Sequence, residues 1–218
     1  MDKKKTFWSS LPGILTGIAA LITAIGGTLG ILYQAGIIGS GSESRPSPQP
    51  IQQIHQLTNL GFEKAMVGWY LSGPPSNLED YTIGNDKAVV HKGSASGYVR
   101  SKKNTASGWC TLMRSFDADI YRGTRLRMTA YVKTQNVSGR AGLWMRVDGP
   151  NGKEYSFDNM QNRPIKGDTE WSKYDCILDV PEDSKYILFG LILEGSGKAW
   201  VDDFSFETVG SDVPTTDR

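Results

Sequence analysis

Hydrophobic positions divide the chain into an apolar amino-terminal stretch and a longer region of short apolar runs separated by turns. Residues 6–42 contain no charged side chain, and residues 11–38 are dominated by Leu, Ile, Ala and Gly. A helix over residues 11–38 would be about 42 Å long, which exceeds a hydrocarbon core of about 30 Å. The pattern predicts a transmembrane helix at residues 11–38 that follows a short basic tail at residues 1–10.

The flanks of this segment predict its orientation. Lysines occupy positions 3, 4 and 5, and basic residues favour the cytoplasmic side. We therefore expect a cytoplasmic amino terminus and an extracytoplasmic carboxyl-terminal domain. A cleaved signal peptide is the main alternative, although its apolar region is usually only about 7–15 residues long.

Small residues four apart, such as Gly13 and Gly17, recur in the apolar segment. This spacing lets two membrane helices approach closely, although small residues are common in membrane helices in general. Membrane lipid and a second copy of the chain are thus the expected partners of residues 11–38.

The region after the apolar segment divides into a linker, a domain and a tail. Residues 39–50 mix Gly, Ser and Pro, a composition that cannot bury a core, so we expect a flexible linker at residues 39–57. Residues 58–209 have the size of one domain. Residues 210–218 are expected to form a disordered tail.

Within residues 58–209, short runs rich in Val, Ile, Tyr, Trp and Phe recur between turn signals, and no long stretch repeats every 3.6 residues. The predicted strands are Tyr81–Ile83, Ser94–Ser101, Trp109–Phe116, Arg125–Lys133, Gly142–Asp148, Glu154–Asp158, Trp171–Asp179, Ile187–Glu194 and Ala199–Glu207. Eight or so core strands in about 150 residues predict an all-β fold, a two-sheet jelly-roll β-sandwich.

Composition narrows the classes of function. The chain has 24 Lys and Arg against 23 Asp and Glu, so no broad phosphate-binding surface is expected, and nucleic acid is not a predicted partner. Two cysteines cannot by themselves form a disulfide scaffold or a four-ligand zinc site, and with only two histidines the usual metallohydrolase sites lack ligands. We expect Cys110 and Cys176 to be free and mostly buried, and His55 and His91 to be solvated rather than catalytic.

Several segments resemble galactose-binding-like jelly-roll domains, which include many carbohydrate-binding modules. The segments are Asn59–Glu63 (NLGFE), Gly68-Trp69, His91–Ser96 (HKGSAS), Tyr131–Thr134 (YVKT), Phe157–Gln161 (FDNMQ), Arg163–Gly167 (RPIKG), Trp171 and Trp200–Glu207 (WVDDFSFE). They also resemble a bacterial subfamily of that fold, whose members occur alone or fused to arabinose-regulator-type transcription regulators. The resemblance covers about 150 residues and identifies a fold better than a ligand.

In jelly-roll order, one sheet contains the strands near residues 94–101, 199–207, 125–133 and 171–179, and the other contains the remaining four. The second sheet is the concave one in similar sugar binders. Alternation along Gly142–Asp148 places Leu143, Met145 and Val147 on one face and Trp144, Arg146 and Asp148 on the other, which is expected to face solvent.

An exposed Trp beside an Arg predicts a platform on which a sugar ring stacks. The candidate ligand-binding residues are Trp144, Arg146, Arg114, Asp158, Asn159 and Gln161. The alternative is that the 161–170 loop covers Trp144 above a structural pair formed by Arg146 and Asp158.

The resemblance also implies a structural calcium ion. Glu63, the turn at residues 92–94, and Asp202 or Asp203 match the positions where calcium-containing jelly-roll sugar binders hold one, and calcium takes six to eight oxygen ligands. The alternative is that Asp202 and Asp203 accept hydrogen bonds from backbone amides without a metal.

Two functions therefore stay open. The first is a membrane-anchored, non-catalytic module that binds a carbohydrate or another small polar ligand. The second is a structural, protein-interaction or sensory accessory domain tethered to the membrane. No pair of carboxylates is selected for hydrolysis, so the sequence predicts that the protein is not an enzyme.

Overall fold

The computed structural model describes residues 57–217. Within that range, none of the helices has the length and apolar character needed to cross a bilayer. The predicted basic tail, the membrane helix at residues 11–38 and the linker up to residue 56 lie outside the described residues, as does Arg218.

The described chain forms an all-β domain, as predicted, with nine strands and three short 3-10 segments. The strands are β1 (Tyr70–Ser72), β2 (Tyr81–Asp86), β3 (Ser96–Ser101), β4 (Trp109–Asp117), β5 (Thr124–Asp148), β6 (Glu154–Asp158), β7 (Ile165–Val180), β8 (Tyr186–Glu194) and β9 (Lys198–Val209). The 3-10 segments are Pro75–Asp80, Asp119–Tyr121 and Pro150–Gly152. The predicted strands thus correspond to observed ones, except that two of them are parts of the single strand β5.

The strands form two sheets that share β5. Sheet A contains β2, β3, β9, the first half of β5 and β7. Sheet B contains β1, β4, β8, the second half of β5 and β6. Because β5 runs through both sheets, the hydrogen-bonded network is continuous and nearly closed into a barrel. This arrangement is consistent with a jelly roll, and the four strands predicted to share one sheet do so.

The inward face of β5 changes along its length. Leu126 and Met128 point into the core from even positions of the first half, whereas Leu143 and Met145 do so from odd positions of the second half. Pairing with β7 shifts register repeatedly between Val132 and Ala141, and Asn136 there has a φ of 52°. Irregular residues of this kind bend a strand and displace the alternation, so β5 keeps apolar side chains inward in both sheets.

The core is dominated by aromatic rings between the two sheets. Phe189 on β8 lies 5.4 Å from the Trp69 ring and 5.2 Å from the Phe204 ring, both in edge-on geometry. Phe62 stacks on Trp69 at 4.7 Å. Trp69 donates its indole N–H to the Asn59 carbonyl at 3.1 Å. The opening segment of the domain is therefore part of the core.

Three parts of the domain differ from the sequence-based expectation. The short strand β1 was not predicted, because three residues show no clear alternation. Strand β7 begins at Ile165 and is longer than predicted. Residues 210–217, expected to be disordered, pack beside sheet A: Ile177 and Thr216 exchange hydrogen bonds of 2.7 and 2.9 Å, and Arg125 donates to the Ser211 carbonyl at 2.8 Å.

Candidate functional site

Two of the polar residues on the predicted outer face of sheet B, Arg146 and Asp148, do lie there. Side chains opposite one another in an antiparallel pair share a face. Arg146 of β5 is opposite Leu188 of β8 and Phe157 of β6, and Asp148 is opposite Tyr186. The face predicted for Arg146 and Asp148 is therefore correct, whereas the prediction that it is open to solvent along its length is wrong.

Arg146 and Asp148 form a buried ion pair on this face. Their side chains are joined from Nη2 to Oδ2 at 2.7 Å, and the two residues are only 5% and 2% exposed. Arg146 Nε and Asp148 Oδ1 are buried and have no hydrogen-bond partner among the described residues. Burial raises the pKa of Asp148, against the effect of the neighbouring guanidinium. The pair thus presents one unused donor and one unused acceptor.

Exposed residues surround this pair at one end of the sheet. Tyr186, directly opposite Asp148, is 52% exposed. Ser115 and Asp117 on β4 and Glu154 on β6 are also exposed. We call Arg146, Asp148, Tyr186, Asp117 and Glu154 the Asp148 cluster, in which a half-exposed aromatic ring adjoins charged and hydrogen-bonding groups.

Trp144 is not the exposed platform that the sequence predicted. It lies on the outer face of sheet B but is only 3% exposed, and its indole N–H donates to Thr111 Oγ1 at 2.6 Å. Its ring lies 6.5 Å from Phe157 on β6. A tryptophan held in this way cannot offer a free ring face to a sugar.

Two other predicted ligand residues, Arg114 and Asp158, lie on the core side of sheet B. Arg114 lies on the core side of β4, because it shares the parity of Leu112, and it donates to the Thr58 carbonyl. Asp158 is opposite the core residue Met145 and pairs with Arg163 at 3.1 Å, rather than with Arg146. The suggested structural pair of Arg146 and Asp158 is therefore wrong.

Asn159 and Gln161 belong to the turn after β6. Asn159 is buried, its Oδ1 accepts a hydrogen bond from the Gln161 N–H at 3.1 Å, and its carbonyl accepts one from Arg140. Gln161 is exposed. The six predicted ligand residues thus do not converge, and Trp144 and Arg146 are the two that the strand register places on the predicted face.

The three carboxylates predicted to bind calcium make other contacts. Asp202 accepts the backbone N–H groups of His91, Lys92 and Asp203 at 3.1, 3.2 and 2.8 Å. Glu63 accepts the N–H and hydroxyl of Ser94. Among residues 57–217, His, Cys, Asp and Glu side chains form no group of three that could hold a metal ion. The fit to calcium is therefore poor, and the ion stays a prediction.

The sequence predicts a solvated His91, but in the structure its side chain packs against other residues. Its ring stacks on Tyr131 with centroids 3.6 Å apart and meets the edge of Trp171 at 5.7 Å. Its Nδ1 lies 2.8 Å from Asp203 Oδ2. These contacts fasten the loop between β2 and β3 onto sheet A.

Both cysteines are free and buried, as predicted. Burial raises the pKa of Cys110 to about 12 and the pKa of Cys176 well above its usual value. Since the thiolate is the reactive form, we expect Ellman's reagent to label neither thiol in the native protein and both after denaturation. Rapid labelling of the native protein at pH 8 would contradict this.

No family model matches the chain. A curated protein described as an uncharacterized HTH-type transcriptional regulator, YbfP of Bacillus subtilis (strain 168), is 46% identical over 156 residues, which is 71% of this chain and 52% of that protein. The chain thus spans about half the length of the curated relative it matches. Most of the 156 matched residues fall within residues 57–217, because only 57 residues of the chain lie outside that range.

Solved structures share the fold at low identity. The CBM22-1 xylan-binding domain of Xyn10C from Paenibacillus barcinonensis is 19% identical, with a TM-score of 0.50, over 69% of this chain and 92% of that chain. A Stig cyclase from Fischerella sp. TAU is 15% identical, with a TM-score of 0.50, over 70% of this chain and 95% of that chain. One neighbour is a binding domain and the other is named as an enzyme, so the fold leaves the activity open.

Proposed function

We propose that the β domain is a non-catalytic carbohydrate-binding module that takes a saccharide at the Asp148 cluster. The observation that carries this proposal is the buried Arg146–Asp148 pair, whose Nε donor and Oδ1 acceptor have no partner among the described residues. Leaving a buried polar group without a hydrogen bond costs about 1–3 kcal/mol. A ligand that satisfies both groups recovers that cost.

Sugar hydroxyls suit these groups because each hydroxyl is a donor and an acceptor at once. One hydroxyl accepts from Arg146 Nε, and a neighbouring hydroxyl donates to Asp148 Oδ1. The exposed carboxylates of Asp117 and Glu154 offer further acceptors at the rim. A small movement of the rim side chains is needed to admit the sugar, since Arg146 and Asp148 are buried.

Tyr186 supplies the apolar surface that saccharide recognition also requires. It is a large hydrophobic side chain with 52% exposure, and its position opposite Asp148 puts the ring beside the ion pair. The C–H face of a pyranose ring packs on such a ring while its hydroxyls reach polar groups. The xylan-binding domain with the same fold supports this class of ligand.

Binding of neutral oligosaccharides of xylose, glucose and galactose by the full chain tests the proposal. We expect isothermal titration calorimetry to detect at least one of them, with an affinity that falls about tenfold in Tyr186→Ala. A tenfold loss corresponds to about 1.4 kcal/mol, within the range of aromatic stacking. Tyr186→Phe is the matched control, because it keeps the ring, and it should bind within about threefold of the natural chain.

Two results would overturn the assignment. The first is no heat of binding across the panel for chain that melts cooperatively. The second is binding that Tyr186→Ala leaves unchanged, because the sugar would then lie elsewhere.

A ligand-sensing or interaction domain is the second candidate function. The identity of 46% to a protein named as an HTH-type regulator favours it, because a binding domain in such a protein would report a ligand to another part of the chain. Anchoring to membrane lipid through residues 11–38, pairing of two such segments and an extracytoplasmic location of the domain are proposals that rest on the sequence alone.

A further inference from the structure

A second row of polar side chains crosses the outer face of sheet A. Arg100 of β3 is opposite Lys198 of β9, which is opposite Gln135 of β5. Arg100 and Lys198 therefore lie side by side on one face. Like charges in directly opposed positions destabilise an antiparallel sheet, unless other charges compensate them.

Nearby carboxylates compensate the cations of this face incompletely. Lys198 Nζ lies 2.9 Å from Asp86 Oδ2, and Lys133 pairs with Glu170. Arg100 is exposed and has no ion pair within the described part of the chain; its guanidinium lies 5.9 Å from the centre of the Tyr98 ring. One positive charge is therefore left over beside Lys198.

Arg100 and Lys198 line a pocket of about 470 Å³. The other lining residues are Ser101, Asn104, Gln135, Asn136, Ser196 and Gly197. The lining thus combines two cations with three carboxamide side chains and two hydroxyls, and none of these described residues carries a carboxylate. Carboxamides both donate and accept hydrogen bonds, whereas the cations only donate.

The backbone fixes the floor of this pocket. Gly197 donates its N–H to Ser101 Oγ at 3.0 Å, and its carbonyl accepts the Ser101 N–H at 2.9 Å. A Cβ on Gly197 would lie 2.6 Å from the Asn136 carbonyl oxygen, so only glycine lets these two segments approach so closely. Asn136, which also lines the pocket, has a φ of 52°.

We propose that this pocket binds a small polyhydroxylated carboxylate of the uronic acid type. The carboxylate pairs with the Arg100 guanidinium beside Lys198, and the hydroxyls bond to Asn104, Gln135 and Asn136. The volume suits one or two sugar rings. This pocket is on sheet A, whereas the Asp148 cluster is on sheet B. The two proposals can therefore be tested independently.

Titration of the full chain with glucuronate and galacturonate tests the site, with glucose and galactose as neutral counterparts. We expect the uronates to bind to this pocket at least tenfold more tightly than the neutral sugars do, and we expect uronate binding to weaken as sodium chloride is added, since salt screens an exposed charge pair. Nuclear magnetic resonance should show that the side-chain amides of Gln135 and Asn136 shift with the uronates.

Arg100→Gln should weaken uronate binding at least tenfold, and Arg100→Lys should retain part of it. Lys102→Gln is the matched control: it removes one positive charge two residues away, from an exposed side chain that does not line the pocket. It should change the affinity less than twofold.

Three outcomes would overturn the proposal. Galactose that shifts the Gln135 and Asn136 side-chain amides at the same concentrations as galacturonate would remove the role of the carboxylate. Equal losses in Arg100→Gln and Lys102→Gln reduce the effect to general charge attraction. Inorganic phosphate that binds as tightly as the uronates and shifts the same amides removes the role of the hydroxyls.

Discussion

Phe189→Ala should lower the free energy of unfolding by about 3–5 kcal/mol, the usual cost of deleting a buried phenylalanine ring. Phe189 is fully buried on β8, and its ring meets Trp69, Phe116, Phe204 and Phe206 edge-on at centroid distances of 4.9–5.8 Å. Removal of this ring leaves a cavity at the point where rings from both sheets and the opening segment meet. Urea denaturation followed by tryptophan fluorescence measures the change.

Phe189→Leu separates the loss of volume from the loss of any side chain. It retains most of the apolar volume, so it should cost about 1.5 kcal/mol or less. A single domain has only about 5–15 kcal/mol of stability, and the alanine variant is therefore expected to be close to unfolding at 37 °C. Equal urea midpoints for the natural chain and Phe189→Ala would show that the aromatic rings around Phe189 do not stabilise the core.

Arg146→Met should destabilise the domain by about 3–5 kcal/mol, because it leaves the Asp148 carboxylate buried without its partner. The side-chain contact that is lost is the 2.7 Å bond from Nη2 to Oδ2. The double variant Arg146→Met/Asp148→Leu removes both charges and should recover much or all of this loss. Denaturation of the single and double variants at pH 7 measures both steps.

The loss of unfolding free energy in Arg146→Met should also depend on pH. Burial already raises the pKa of Asp148 in the native chain, and removal of the guanidinium raises it further. The folded state then binds more protons than the unfolded state between about pH 4, the unfolded value, and the folded pKa. The stability of the variant therefore rises as the pH falls through that window, and a deficit that stays constant from pH 7 to pH 4 would contradict the assignment.

The strand pattern was readable from the sequence because inward side chains alternate with outward ones. Glu154–Asp158 was predicted with the correct bounds, and the inward positions Leu143, Met145 and Val147 are confirmed as core residues. The continuity of β5 was not readable, because residues 134–141 break the alternation where the strand passes between sheets. Strand β1 was not predicted because its three residues are too few to show an alternating pattern.

The candidate site was harder to predict because parity alone does not give exposure. The outward position of Trp144 was deduced correctly, but only the structure reveals Thr111 as the partner of its indole. Asp158 was grouped with Arg146, although it lies on the core side of sheet B, because its position depends on which residue of β5 it pairs with. Long-range register of this kind is not encoded in a local pattern.

Two residues that now carry proposals gave no signal in the sequence. Tyr186 begins a strand whose residues 187–193 are, apart from Gly190, all hydrophobic, so no alternation identified its outward face. Arg100 was noticeable only as one of many charges. Its neighbour Lys198 lies almost a hundred positions away in the chain, and only the pairing of β3 with β9 brings them together.

The shared strand β5 also disfavours strand pairing in the wrong register. When a strand shifts by one residue against its neighbour, each of its side chains moves to the opposite face of the sheet. In β5 such a slip would expel Leu126 and Met128 from sheet A's side of the core and Leu143 and Met145 from sheet B's side in a single event. Misaligned forms therefore lose apolar contacts in both sheets at once, which leaves the native alignment without a close competitor.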